Sequence, residues 1–211
     1  MEDWERLEIF GSVPVGTSLL KDVFSDYASP SNKIEEMCRR GLLTRVRRGL
    51  YVVAPKISHK PLSKFIIANH IYGPSYVSLE TALEYHGLIP EAVYQIRSVT
   101  PFRAKRYDSV LGRFLYFRVP EDYFQTGILI EGDDDGRYLI ASPEKALCDL
   151  LMLTKDLRIQ SLHSMREYLE NFMRVDMDIV FGFNTDIVER CIETGRKKTT
   201  LAQLLEVIKN G

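Results

Sequence analysis

Residues 29–53 read SPSNKIEEMCRRGLLTRVRRGLYVV, and this stretch decides the fold of the N-terminal part of the chain. Ser29 offers a capping hydroxyl just before Pro30, a residue that suits the first turn of a helix. Gly41 stands where a helix commonly ends in a left-handed residue. Two short β-rich runs, 42–46 and 50–53, flank a basic turn. The pattern predicts a helix followed by a β-hairpin.

The predicted helix has two chemically different sides. At about 100° per residue, Ile34, Met37 and Cys38 gather on one side. The polar residues gather on the opposite side: Asn32, Lys33, Glu36, Arg39 and Arg40. We therefore expect one side to pack on a core and the other to present amides and cations to solvent.

Two further helices are expected before this one. Residues 1–10 form a short amphipathic pattern, and glycine and proline then interrupt it. Thr17 can cap a second helix whose apolar positions are Leu19, Leu20, Val23 and Phe24. Three helices followed by a two-stranded hairpin are typical of a winged helix-turn-helix. We expect this domain to span residues 1–57.

The remaining chain predicts a larger mixed α/β domain over residues 62–211. Helical patterns cover 62–71 and 78–86, and a helix opens at Ser142-Pro143-Glu144. Strand patterns cover 94–100, 114–119, 127–130 and 138–141. Residues after about 155 read as mostly helical. The expected class is α+β, with a helical C-terminal part.

Charge is distributed unevenly along a chain of almost no net charge. From Lys33 to Lys60 there are eight basic and two acidic residues, a local charge of +6, although the whole chain carries −1. The rest must then carry −7. A basic stripe of this kind attracts duplex DNA, because cations that neutralise phosphates release condensed counterions.

The stripe and the element order together predict a DNA-binding site. The third helix would enter the major groove, where asparagine pairs with adenine and arginine with guanine. The cationic side chains of the hairpin would contact phosphates or enter the minor groove. The candidate contacts are Ser31, Asn32, Lys33, Glu36, Arg39, Arg40, Arg45, Arg47 and Arg48.

A second basic cluster consists of Arg103, Lys105 and Arg106. Three interpretations stay open for it: an extension of the DNA contact, a site for an acidic partner, or a solvated loop.

Enzyme and metal patterns are weak, and we expect no enzyme, no cofactor and no metal. Gly11-Ser12 and Ser25-Asp26 resemble part of a nucleotidyltransferase signature, but a second carboxylate for magnesium is missing. Residues 133–135 lack the alternating ligand spacing of a calcium loop. The three cysteines are expected to be buried free thiols. The absence of a long apolar run favours a cytoplasmic protein without a membrane segment.

Three stretches resemble the AbiEi-type antitoxins of type IV toxin–antitoxin systems. Residues 48–53 (RGLYVV) resemble the wing of that family. Residues 76–88 (YVSLETALEYHGL) and 142–151 (SPEKALCDLL) are similar to two signatures of its larger domain. The resemblance covers roughly the first 155 residues in the family's order.

The resemblance implies a transcriptional repressor that binds inverted repeats in its own promoter. It also implies an antitoxin that counteracts a nucleotidyltransferase toxin without a stable complex, and we expect a monomer in solution or a weak dimer on DNA. The alternative is a non-enzymatic protein-interaction module whose winged helix binds a protein partner.

Overall fold

The computed structural model describes residues 2–211 and has two sheets with helices packed around them. The class is α+β, with 44% helix and 20% strand, and the C-terminal part is helical, as the sequence predicts. Met1, the first residue of the predicted N-terminal helix, lies outside the described residues.

The N-terminal part alternates short helices with a small sheet. Three strands pair antiparallel in the order β1-β3-β2. The elements are α1 (Glu5–Glu8), β1 (Val15–Gly16), α2 (Thr17–Val23), α3 (Pro30–Arg39), β2 (Leu43–Arg47), β3 (Leu50–Val53) and α4 (Pro55–Ser58). The predicted helix and hairpin of residues 29–53 are thus present, and β1 adds a third strand.

Local signals set the ends of α3. Pro30 occupies its first turn, but the expected Ser29 hydroxyl forms no capping hydrogen bond, and Gly41 follows the helix with a φ of +65°. Ile34 and Met37 are buried, as the periodicity predicts, whereas Cys38, expected beside them as a buried thiol, is only half-buried. The pattern is less accurate in α2, because Leu19, expected in the core, is 48% exposed.

The larger part is built on a mixed sheet of six strands in the order β6-β7-β5-β4-β9-β8. The pairs β4–β9 and β5–β7 are parallel, and the other neighbours are antiparallel. The strands are β4 (Tyr76–Val77), β5 (Ile96–Thr100), β6 (Lys105–Ser109), β7 (Gly112–Arg118), β8 (Ile128–Asp133) and β9 (Gly136–Ala141). The sequence pattern missed β6 and the two-residue strand β4.

Helices flank this sheet and make up the C-terminal part. They are α5 (Lys64–Ile71), α6 (Leu79–Tyr85), α7 (Glu121–Phe124), α8 (Pro143–Leu153), α9 (Leu162–Glu167), a π-helical turn (Tyr168–Phe172), α10 (Met177–Phe181), α11 (Thr185–Thr194) and α12 (Lys198–Lys209). Within residues 2–211, no helix combines the length and apolar character needed to cross a bilayer.

Two hydrophobic clusters meet at the β2–β3 hairpin. The N-terminal cluster contains Leu20, Phe24 and Met37, among others. Val46 and Val52, from the same hairpin, instead pack into the cluster of the larger part. The hairpin therefore has apolar contacts on both of its sides.

Polar contacts also join the two parts. The ammonium of Lys60 lies 2.5 Å from a carboxylate oxygen of Asp135, at the β8–β9 turn. The Ser12 hydroxyl donates to the backbone carbonyl of Asp135 over 2.9 Å. Lys60 belongs to the basic stripe, so one of its eight cations is already paired with the larger part.

Candidate nucleic-acid interface

The polar side of α3 is open to solvent along most of its length. Of the residues that the sequence places on this side, Asn32, Arg39 and Arg40 are exposed, as are Ser31 and Glu35, whereas Lys33 and Glu36 are half-buried. Arg40 donates to Glu36 over 3.2 Å, one helical turn away, which is an ordinary surface pair. The side that the sequence assigns to DNA is thus available to a ligand.

A cleft of about 270 Å³ lies between α3 and the β2–β3 turn. It is lined by Thr17, Lys21, Ser31, Ile34, Glu35, Arg45, Arg48, Gly49 and Tyr51. Gly49 has a φ of +83°, which a tight turn permits in glycine, and its carbonyl accepts from the backbone N–H of Thr17 over 3.1 Å. This bond holds the turn against the start of α2.

Tyr51 orients Arg45 at the edge of the cleft. The two residues are cross-strand partners in the hairpin. A terminal guanidinium N–H of Arg45 donates to the Tyr51 hydroxyl over 3.1 Å, and the guanidinium carbon lies 5.5 Å from the ring centroid. A cation over an aromatic face is restrained without being neutralised. Arg45 therefore keeps its full charge beside the exposed Arg48.

Lys33 does not face solvent, and that expectation was wrong. Its side chain is 10% exposed, and its ammonium lies 2.6 Å from an Asp3 carboxylate oxygen. It also pairs with Glu36 over 3.2 Å and lies 4.7 Å from the centroid of the Tyr27 ring. Because its charge is matched within the N-terminal part, Lys33 anchors α3 to the segment before α1.

Substituting Asp3 by asparagine should remove a pH-dependent contribution to stability. Burial opposes ionisation of Asp3, but hydrogen bonds from Lys33 and Tyr27 outweigh it, so its pKa lies below the ordinary value of 3.8. Ionised Asp3 therefore stabilises the fold above that value, and the contribution disappears as the pH falls through the folded-state pKa.

Urea unfolding of both proteins from about pH 6 to about pH 3 measures this contribution. We expect the wild-type chain to be more stable than the D3N variant at the upper end and the difference to close towards the lower end. A difference independent of pH would contradict the assigned role of the carboxylate.

Arg47 also differs from its expected position as a phosphate contact. It is half-buried, and its Nε donates to the backbone carbonyl of Ile71 over 3.0 Å. Its Nη1 donates to the carbonyl of Arg48 over 3.0 Å. The register between β2 and β3 shifts between Arg45 and Arg47. This irregularity accompanies the turn of Arg47 towards α5.

The second basic cluster is divided by its strand. Lys105 and Arg106 are neighbours in β6, so they project to opposite faces of the sheet. The Arg106 guanidinium forms two hydrogen bonds to Asp108, at 2.8 and 3.0 Å. Arg103, just before the strand, is exposed. The three cations thus do not form one patch.

The stretches 76–88 and 142–151 meet inside the protein. Lys145 and Asp149 are fully buried on α8, and their charged atoms lie 3.2 Å apart. Asp149 accepts hydrogen bonds from the hydroxyls of Tyr76 at 3.0 Å and Ser78 at 2.6 Å. Lys145 donates to the backbone carbonyl of Tyr123 over 2.9 Å. A buried charge pair with these partners joins α8 to β4.

Several residues of the cleft were not predicted. Tyr51 could not be placed from the turn alone, because a regular register would set Val46 opposite Tyr51, and only the register shift between Arg45 and Arg47 brings Arg45 there. Lys21 and Glu35 lie in parts of the chain that only the packing of α2 on α3 brings to the cleft. Two other cavities, of about 410 and 390 Å³, share Tyr168 and Phe172, and the second also lies against Glu80 of α6 and Val93.

Comparison with known proteins identifies the fold. No family model matches the chain, and no curated protein matches it. Its structure is similar to the crystal structure of the RV2827C protein from Mycobacterium tuberculosis, with a TM-score of 0.50 at 15% sequence identity. The match covers 98% of this chain and 82% of that one. The likeness extends over both parts of the chain and concerns the fold alone.

Proposed function

We propose that the chain is a sequence-specific DNA-binding transcriptional repressor and antitoxin of the AbiEi type, acting without catalysis in the bacterial cytoplasm. The observation that carries the proposal is the exposed polar side of α3 beside a cleft edged by Arg45 and Arg48. The order α1–β1–α2–α3–β2–β3 supports reading this part as a winged helix.

In the proposed complex, α3 lies in the major groove. Asn32 is near its N-terminus, where side chains reach base edges, and can pair with adenine through two hydrogen bonds. Arg39 lies two turns further along the exposed side and can pair with guanine. Arg45 and Arg48 contact phosphates, while Lys33 and Arg47 hold the helix and hairpin in place.

The test for DNA binding is a titration of duplex from upstream of the protein's own gene, with unrelated duplex as competitor. Inverted repeats in that promoter are the proposed operator. We expect the protein to stay bound to the operator in a large excess of competitor. Its affinity for the operator should exceed its affinity for unrelated duplex by a factor of at least about 10³. Equal affinity for both duplexes would contradict sequence-specific repression.

The antitoxin part rests on the two signatures, whose polar side chains share one buried cluster. Its test is co-expression with a nucleotidyltransferase toxin encoded beside the gene. We expect growth to be restored without a stable complex between the two proteins. A stable partner together with no specific DNA binding would instead favour the protein-interaction module.

A further inference from the structure

Lys105 lies on the side of the large sheet that faces α5. Its ammonium is 4.5 Å from the centroid of the Tyr72 ring, just after α5. Tyr107, on the same face of β6, places its ring centroid 6.3 Å from that of Tyr72. Arg106 and Asp108 project from the opposite face. The ammonium of Lys105 thus lies over the Tyr72 ring, which itself packs against Tyr107.

This side of the sheet adjoins the β2–β3 hairpin. The residue before Tyr72 is Ile71, whose carbonyl accepts the hydrogen bond from Arg47. The strands β2 and β6 also pack alongside each other. The hairpin and the β6 edge of the larger part are therefore neighbours, joined through Arg47 and α5.

The cations on and beside the edge strand β6 differ in whether a carboxylate of the protein already pairs with them. Asp108 binds both Arg106, at 2.8 Å, and Arg113, at 2.9 Å. Lys105 and Arg103 are exposed, and neither forms an ion pair with a carboxylate of residues 2–211. An aromatic ring below Lys105 holds it but leaves its charge uncompensated. Lys105, on the strand that packs alongside β2, and Arg103, two residues before it, are therefore free to bind an anion.

We infer that Lys105, together with Arg103, contacts the phosphate backbone of the same duplex beyond the segment held by α3 and the hairpin. The inference rests on the proposed function, and it assigns a part of DNA binding to the larger part of the chain. Lysine suits this task, because an ammonium on a flexible stem binds phosphate as a point charge.

The experiment compares Lys105→Gln with Arg106→Gln in the full chain. The second variant is a matched control, since it removes one positive charge from the neighbouring residue on the other face. Binding of the operator is measured over a range of salt concentrations, on a long duplex and on one trimmed at its flanks. Thermal melting confirms that both variants are folded.

On the long duplex we expect K105Q to reduce the salt slope by about 0.9 and the affinity about five-fold at roughly 0.15 M salt. R106Q should match the wild-type chain, and the effect of K105Q should vanish on the trimmed duplex. An unchanged slope for K105Q, or equal losses in both variants, would overturn the inference while leaving the operator preference of the wild-type chain intact. Failure of that preference would overturn the proposed function itself.

Discussion

Replacing Asp149 by alanine should destabilise the protein by about 3–5 kcal/mol, the usual cost of leaving one partner of a buried ion pair alone. The Lys145 ammonium would stay fully buried without its counter-charge, and the hydroxyls of Tyr76 and Ser78 would lose their acceptor. The free energy of unfolding in urea measures the loss. Such a cost is a large share of the stability of an ordinary domain.

Two further variants keep this prediction testable if the D149A chain does not fold. Asp149→Asn retains the volume and an acceptor, so it should lose less stability. The double change Lys145→Met and Asp149→Leu removes both charges and should recover most of the loss, because well-packed apolar pairs often replace buried ion pairs. As a control, Glu189→Ala removes an exposed partner of Lys209 and should change little. An unfolding midpoint of D149A equal to that of the wild-type chain would contradict a structural role.

The second large effect concerns Arg45 and Arg48. Substituting both by glutamine removes two of the proposed phosphate contacts, so the salt slope of operator binding should fall by about 1.8. At roughly 0.15 M salt this corresponds to a loss of affinity of about 30-fold. Fluorescence titration of a labelled operator over several salt concentrations gives both quantities.

Two controls separate this effect from unfolding and from net charge. Arg190→Gln changes the charge of α11, in the C-terminal part, and should leave operator binding as in the wild-type chain. Urea unfolding of the double variant is measured in parallel, since Arg45 also contacts Tyr51. Unaltered affinity and slope in the double variant would place the DNA elsewhere on the molecule.

Signals close together in the chain predicted the fold most accurately. Pro30 and Gly41 mark the ends of α3 within about a turn, and the burial of Ile34 and Met37 follows from helical spacing. Strand β6 was missed, because its sequence, KRYDS, lacks apolar alternation. An edge strand can carry charge on both faces, so charge alone does not distinguish it from a loop.

The candidate site was predicted less accurately, because its geometry depends on distant residues. Lys33 looks like a free cation in its helix, and only packing brings Asp3, thirty positions earlier, to its side. The spacing of Lys145 and Asp149 is that of an exposed pair on a helix, yet both are buried. Local patterns identify which residues are charged, while tertiary packing determines which charges remain free.

The two apolar sides of the β2–β3 hairpin have a practical consequence. Val46 and Val52 pack into the cluster of the larger part, although they stand before residue 57, where the sequence pattern ends the first domain. A fragment that ends at that residue would expose these valines to solvent, on a short sheet with an unpaired edge strand. The piece most convenient for nuclear magnetic resonance would then be the one most prone to aggregate.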